Sequence, residues 1–169
     1  MRDYYNHQSG CFAGWCLIKM GDGSLRKVQD LKKDDFVMTP KGPARIKCIV
    51  QTKSIDGFHN LCVLPSGLVI TEWHPIVHEG KWTFPIKVTG SKITCCPAVF
   101  SLVLDKGHVV NINDTSVICL GHDLDDPVLQ HEYFGSDKVI NDLAQMPGWN
   151  EGKIHLKAGC IKIGKDKRV

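Results

Sequence analysis

Long apolar runs are missing from this chain of 169 residues. Apolar runs such as Leu68 to Ile70 and Val99 to Leu104 fall far short of the ~18–20 residues that span a bilayer. Met1 to Gly10 contains no apolar signal region, so the reading is a soluble, intracellular, cytoplasmic protein with no membrane partner. Low-complexity tracts are absent too, and 43% hydrophobic against 23% charged residues excludes wholesale disorder. A broad cationic field is also lacking. The net charge of +3 comes from residues 153–169, where Lys153, Lys157, Lys162, Lys165, Lys167 and Arg168 face Asp166 alone; the rest holds 15 basic and 17 acidic residues. Such a body does not displace the counterions of a nucleic acid, so none is expected as a partner.

Paired C-x₂-C units are absent as well. The eight cysteines stand at 11, 16, 48, 62, 95, 96, 119 and 160. Without secretion they are thiols, and Cys48, Cys62 and Cys119, set among apolar neighbours, read as small core residues. Cys95 and Cys96 point to opposite faces of an extended segment. A zinc-binding β domain would need two more ligands to converge on them, so no metal and no cofactor are expected.

Short β-like runs broken by turn residues fill most of the chain. Cys16 to Met20, Phe36 to Met38 and Ala44 to Lys53 are such runs, and Leu61 to Leu64 with Leu68 to Thr71 flank Pro65-Ser66-Gly67 as a hairpin. Ala98 to Leu104 and His108 to Ile112 flank Asp105-Lys106-Gly107 as a second hairpin, and Val117 to Leu120 closes the set. Regular short strands with Gly and Pro turns imply a mostly β body. After Gly121 the texture changes: Ser136 caps a helix whose apolar residues Val139, Ile140, Leu143 and Ala144 recur at helical spacing, and Pro147-Gly148 ends it. This places a boundary at 122, with one helix, a short hairpin and the basic tail in residues 123–169.

Three separated signals bear on chemistry. Gly10-Cys11-Phe12-Ala13-Gly14 sets a thiol directly after the least hindered acyl residue. Thr71 and His74 lie three residues apart after an apolar run, so a hydroxyl and an imidazole can meet one backbone amide, and His is suited to protonating a leaving nitrogen. His108, after the Val99 to Leu104 strand, is a second imidazole that the hairpin could bring to the same place. Read singly, each has a plain structural alternative: a surface Cys at a strand start, or a His bonded in a turn before Pro75.

In order and spacing, residues 10–122 resemble the Hint superfamily, the autoprocessing fold shared by inteins, hedgehog C-terminal domains and bacterial intein-like domains. Gly10-Cys11-Phe12-x-Gly14 with Asp22-Gly23 looks like its N-terminal block. The run ending Lys33-Asp34-Asp35-Phe36-Val37 is similar to its L-x-x-G-D-x-V turn, and Thr71-x-x-His74 to the block that activates the scissile amide. Val99 to Ile112 and Val117 to His122 resemble its closing blocks. Pro40 to Arg45, Leu64 to Leu68, Trp73-His74-Pro75, Leu120-Gly121-His122, His131 to Gly135 and Pro147-Gly148-Trp149 carry a further likeness. It is to the Hint domains found beside von Willebrand A domains, called Vint domains, and to intein-like domains of ciliate ubiquitin-like precursors.

The resemblance implies a horseshoe of short strands in residues 11–122, an upstream segment 1–10, and a single-turnover reaction rather than a multiple-turnover enzyme. Cys11 would attack the Gly10 carbonyl, with Thr71, His74 and His108 as further catalytic residues and Cys119 and His122 as auxiliaries. The thioester would pass to water, a thiol or an amine, a protein lysine included, and the chain would act as a monomer with its upstream segment as acyl donor. Splicing is not implied, because Cys119-Leu120-Gly121-His122-Asp123 lacks the closing Asn. Nor is sterol transfer, since Gln51 stands where hedgehog-type domains carry an acid. The competing reading is a catalytically idle Hint-like β module that binds a protein partner through residues 123–169.

Overall fold

Runs rich in Val, Ile and Phe between Gly, Pro and Asp turns fold as short strands because branched and aromatic side chains pack well on a pleated surface. A computed structural model describes residues 11–130 and 134–157. Strands β1 (Phe12–Ala13), β2 (Leu17–Lys19), β3 (Leu25–Lys27), β4 (Phe36–Thr39), β5 (Gly42–Lys53), β6 (Phe58–Val63) and β7 (Val69–Ile70) come first. Then follow β8 (Ile76–His78), β9 (Lys81–Thr83), β10 (Ser91–Cys95), β11 (Ala98–Leu104), β12 (Val109–Ile112) and β13 (Thr115–Ile118). Helix α1 (Asp137–Ala144) and β14 (Lys153–Lys157) complete the order.

The strands form two sheets. One runs β10-β6-β7-β1-β11-β5-β14, with β4 also paired to β5; the other runs β3-β2-β12-β13-β8-β9. All pairings are antiparallel except β14, which lies parallel to β5 with Lys153 opposite Ile49. The mostly β class expected from the sequence is the class found. Among the described residues no helix is long and apolar enough to cross a membrane.

The long strand β5 serves two cores because of one extra residue. Leu104 pairs with Ile46 and Val103 with Cys48, so Lys47 has no partner opposite it and the register shifts there. A bulge of this kind reverses which face each later side chain takes. Ile46 and Ile49 therefore both enter the main core with Phe12, Ile70 and Leu102. Cys48 and Val50 turn the other way, into a second core with Val103, Val139, Leu143 and Ile154.

Helix α1 forms where Ser136 predicts it: its side chain accepts a hydrogen bond from the Lys138 N–H at 3.2 Å, satisfying one of the first-turn donors. Val139 and Leu143, four residues apart, are its buried residues and share one face.

Two expectations need correction. The Asp105-Lys106-Gly107 turn does not close a hairpin, because β11 lies in the first sheet and β12 in the second. The chain crosses between sheets instead. The Asp105 N–H donates to the Arg45 carbonyl at 3.0 Å, its carboxylate accepts from the Arg45 N–H at 3.0 Å, and Gly107 and His108 both take positive φ, +76° and 46°. Nor do the described residues after 122 contain a hairpin; their single strand, β14, joins the edge of β5. Gly148 makes that return possible. At φ +98° any β-carbon there would overlap the Lys153 carbonyl oxygen.

Candidate active site

Cys11 sits at the entrance to β1, which is flanked by β7 and β11. Thr71, just past the end of β7, meets it directly: the Cys11 N–H donates to Thr71 Oγ1 at 3.0 Å and the Thr71 N–H donates to the Cys11 carbonyl at 2.9 Å. Beside the thiol is Ser101 of β11, with Sγ and Oγ 3.3 Å apart. Phe12 and Phe100 pair across β1 and β11, and this register puts the next residue of β11 within reach of Cys11. Ser101 is 4% exposed in a strand that otherwise reads Ala-Val-Phe and Leu-Val-Leu.

His74 is 3% exposed and its ring packs against Phe12, centroids 5.5 Å apart. Its Nε2 lies 2.6 Å from the Ile118 carbonyl oxygen. A carbonyl only accepts, so Nε2 carries the proton and the neutral ring keeps its lone pair on Nδ1. Nδ1 is buried and makes no regular hydrogen bond among the described residues. The backbone of Cys11 lies near enough to favour the charged form, as does the Ile118 carbonyl, but burial outweighs both, with His122 adding to it, and the imidazolium pKa falls to about 4.

The Cys11 thiol is shifted the other way. Burial raises the Cys11 thiol to about 11, with the Ser101 hydroxyl pulling it down and nearby Cys96 pushing it up. Both shifts have one cause, the loss of water around a charge. At neutral pH the resting pair is therefore a neutral thiol and a neutral imidazole.

The structure brings Cys11, Thr71 and His74 together. His108 is placed elsewhere: with the hairpin replaced by a sheet crossing, it follows the Gly107 turn and is half-buried, its ionisation disfavoured first by burial and influenced by Asp105, Lys41 and Lys47. Its carbonyl accepts the Cys119 N–H at 2.8 Å. His122 is close enough to disfavour the charging of His74, and His108 in turn disfavours its own; its Nδ1 accepts the Leu124 N–H at 2.9 Å. Cys119 is buried and its thiol is driven up by desolvation. Cys119, His122, His74 and Ser101 line one cavity. Gly10, the scissile residue that the family resemblance implies, lies outside the described residues.

Ser101 is the residue the sequence reading did not assign. Its signal was a lone hydroxyl in a seven-residue apolar strand, since a buried hydroxyl there needs a partner. Among the described residues no three His, Cys, Asp or Glu side chains group so as to hold a metal. Cys95 is exposed and Cys96 buried, as opposite faces require.

The fold and this site can be set beside known proteins. The family model described as Vint, a Hint domain, matches residues 10–169. Among solved structures, a DnaB intein from Synechocystis sp. PCC 6803 superposes with a TM-score of 0.50 at 20% identity, over 66% of this chain and 99% of that one. The gp41-1 intein gives a TM-score of 0.48 at 12% identity, over 66% of this chain and 99% of the other. No curated protein matches the chain.

Proposed function

Because the chain belongs to the Vint family of Hint domains, a self-processing fold, we propose that it breaks its own backbone at Gly10–Cys11 by an N-to-S acyl shift. Cys11 Sγ adds to the Gly10 carbonyl carbon, the C–N bond breaks, and the Gly10 acyl group is left on sulfur as a thioester while the Cys11 nitrogen becomes an amine. One proton leaves the thiol and one arrives on the nitrogen. The thioester then passes to water, a thiol or an amine.

The observation that carries this reading is the double hold of Thr71 on Cys11 beside an imidazole whose free atom is Nδ1. With the thiol near 11 and His74 near 4, thiolate is about one part in 10⁴ at pH 7 and imidazolium about one in 10³. Neither ion is available beforehand. The reaction suits a single proton that moves from Sγ to Nδ1 and on to the leaving nitrogen, so His74 is base first and acid second, worth ~10²–10⁴-fold. Ser101 offers its hydroxyl to the sulfur as charge develops there.

Removal of the C-terminal side is not part of the proposal. Asn cyclisation needs a carboxamide aimed at its own carbonyl, and the closing run Gly121-His122-Asp123 has none. The test is the intact mass of the full chain after incubation with hydroxylamine, which traps thioesters. Release of residues 1–10 as their hydroxamate, abolished by Cys11→Ala and kept by Cys16→Ala, is the expected result. A chain that stays whole favours the idle binding module.

A further inference from the structure

Ser101 and His74, which both neighbour Cys11, line a cavity of about 280 Å³. Trp73, Phe84, Leu120, Val128, Leu129 and Phe134 give it aromatic and aliphatic walls, contributed by both the β body and the segment after residue 122. No Asp, Glu, Lys or Arg lines it among the described residues. Its polar lining includes Ser101, whose Oγ is 3.3 Å from the Cys11 sulfur, and His74 and His122. Cys11 itself does not line the cavity; Ser101 does, so one residue separates this largely apolar space from the sulfur.

We infer that this cavity receives the nucleophile that resolves the thioester, and that this nucleophile is a primary amine carried on an apolar stem. The inference rests on the acyl shift proposed above. The volume, near the lower end of ligand sites, suits a phenyl ring or the four-carbon stem of a lysine.

The choice among nucleophiles follows from which protonation state attacks. A thiol attacks as thiolate and an alcohol must lose its proton to a base, so both must carry charge on the incoming group, inside a space that disfavours it, before the new bond forms; with an amine, negative charge appears only as the C–S bond breaks, on the sulfur beside Ser101. His74, with its imidazolium near 4, is a weak base for an alcohol. An amine attacks as its neutral free base, the form that apolar walls with no carboxylate among the described residues favour over ammonium. In the step, the nitrogen lone pair forms a C–N bond to the Gly10 acyl carbon, the C–S bond breaks, and Cys11 leaves as thiolate beside the Ser101 hydroxyl. The proton lost by nitrogen restores the thiol, giving an amide and free Cys11 without any redox partner.

The full chain is incubated separately at neutral pH with hydroxylamine, benzylamine, ethanolamine and a peptide containing one lysine, and acyl adducts of residues 1–10 are followed by mass. Benzylamine and ethanolamine have similar basicity and differ in their stems. Benzylamine should react about tenfold faster or more, Val128→Phe should bring the ratio of the two towards one by filling the cavity, and benzyl alcohol should compete with benzylamine in the unaltered chain. Equal rates for the two amines in the unaltered chain, or no competition by benzyl alcohol, would overturn the inference while hydroxylamine release leaves the acyl shift standing. Absence of hydroxylamine release would remove the acyl shift itself and this inference with it. If the preference holds, a lysine peptide that couples as fast as benzylamine identifies a protein side chain as the source, and one that does not identifies a free amine.

Discussion

Thr71 holds Cys11 by two hydrogen bonds running in opposite directions, one into its hydroxyl oxygen at 3.0 Å and one out of its own N–H at 2.9 Å. The Cys11 amide nitrogen, the leaving group in the proposed acyl shift, is thereby fixed, and so is the Cys11 carbonyl. Breaking the first bond leaves a part-buried N–H without its acceptor.

Thr71→Val should slow hydroxylamine-triggered release by about 10–100-fold, because an orphaned buried donor is worth ~1–3 kcal/mol. Thr71→Ser keeps the oxygen and should recover most of the rate. Single-turnover kinetics by intact mass separates the two; equal loss in both variants would show that the methyl group, not the hydroxyl, matters.

Ser101→Ala takes away the group that draws the Cys11 thiol down, so the thiol should become less acid than in the parent. The alkaline limb of the rate against pH should move to higher pH, with a lower rate at pH 7. A profile superposable on that of the parent would show that the hydroxyl does not act on the sulfur.

Stability should fall on acidification. The His74 pKa drops from an ordinary 6.5 to about 4 in the folded chain, so below 6.5 the unfolded chain binds a proton that the folded one refuses, and stability is lost as pH falls through that window. His108 and His122 shift in the same direction. The His74 part is at most about 3 kcal/mol, and His74→Gln should flatten the dependence of Tm on pH between about 6.5 and 4. An unchanged slope would mean that this ring charges as freely folded as unfolded.

A chain ending at residue 122 should lose solubility and melt lower than the full chain. Val139, Leu143 and Ile154 bury against Cys48, Val50 and Val103, and each such side chain is worth ~1.5–3 kcal/mol of transfer. Thermal melts and light scattering of the two chains compare this directly. Gly148→Ala, which pushes a β-carbon into the Lys153 carbonyl, should weaken the same attachment without shortening the chain.

Much of this architecture is written locally. The hairpin at Pro65 to Gly67 and the helix at Asp137–Ala144 follow from turn residues, a capping Ser and four-residue spacing. The crossing at Asp105 to Gly107 was not legible, because a Gly turn between apolar strands is the same signal whether the strands pair or part into two sheets; the mutual bonds between Asp105 and Arg45 decide it. The same crossing, not a hairpin, is what positions His108. Strands β8 and β9, three residues each, are too short to show a period. At the site, Cys11, Thr71 and His74 stood out by residue type. Ser101 did not, since its role depends on register between β1 and β11.

Each of the contacts that define the site joins residues far apart in the chain, 60 for Cys11 with Thr71, 90 for Cys11 with Ser101 and 44 for His74 with Ile118. Non-local closure of this kind makes folding slow and leaves early fragments without native pairing. A ribosome therefore exposes the thiol long before it supplies the hydroxyls and the carbonyl that position its partners. Until residue 118 has emerged, Cys11 is an ordinary cysteine in an ordinary peptide, so the proposed cleavage has to wait for the whole β body to be made.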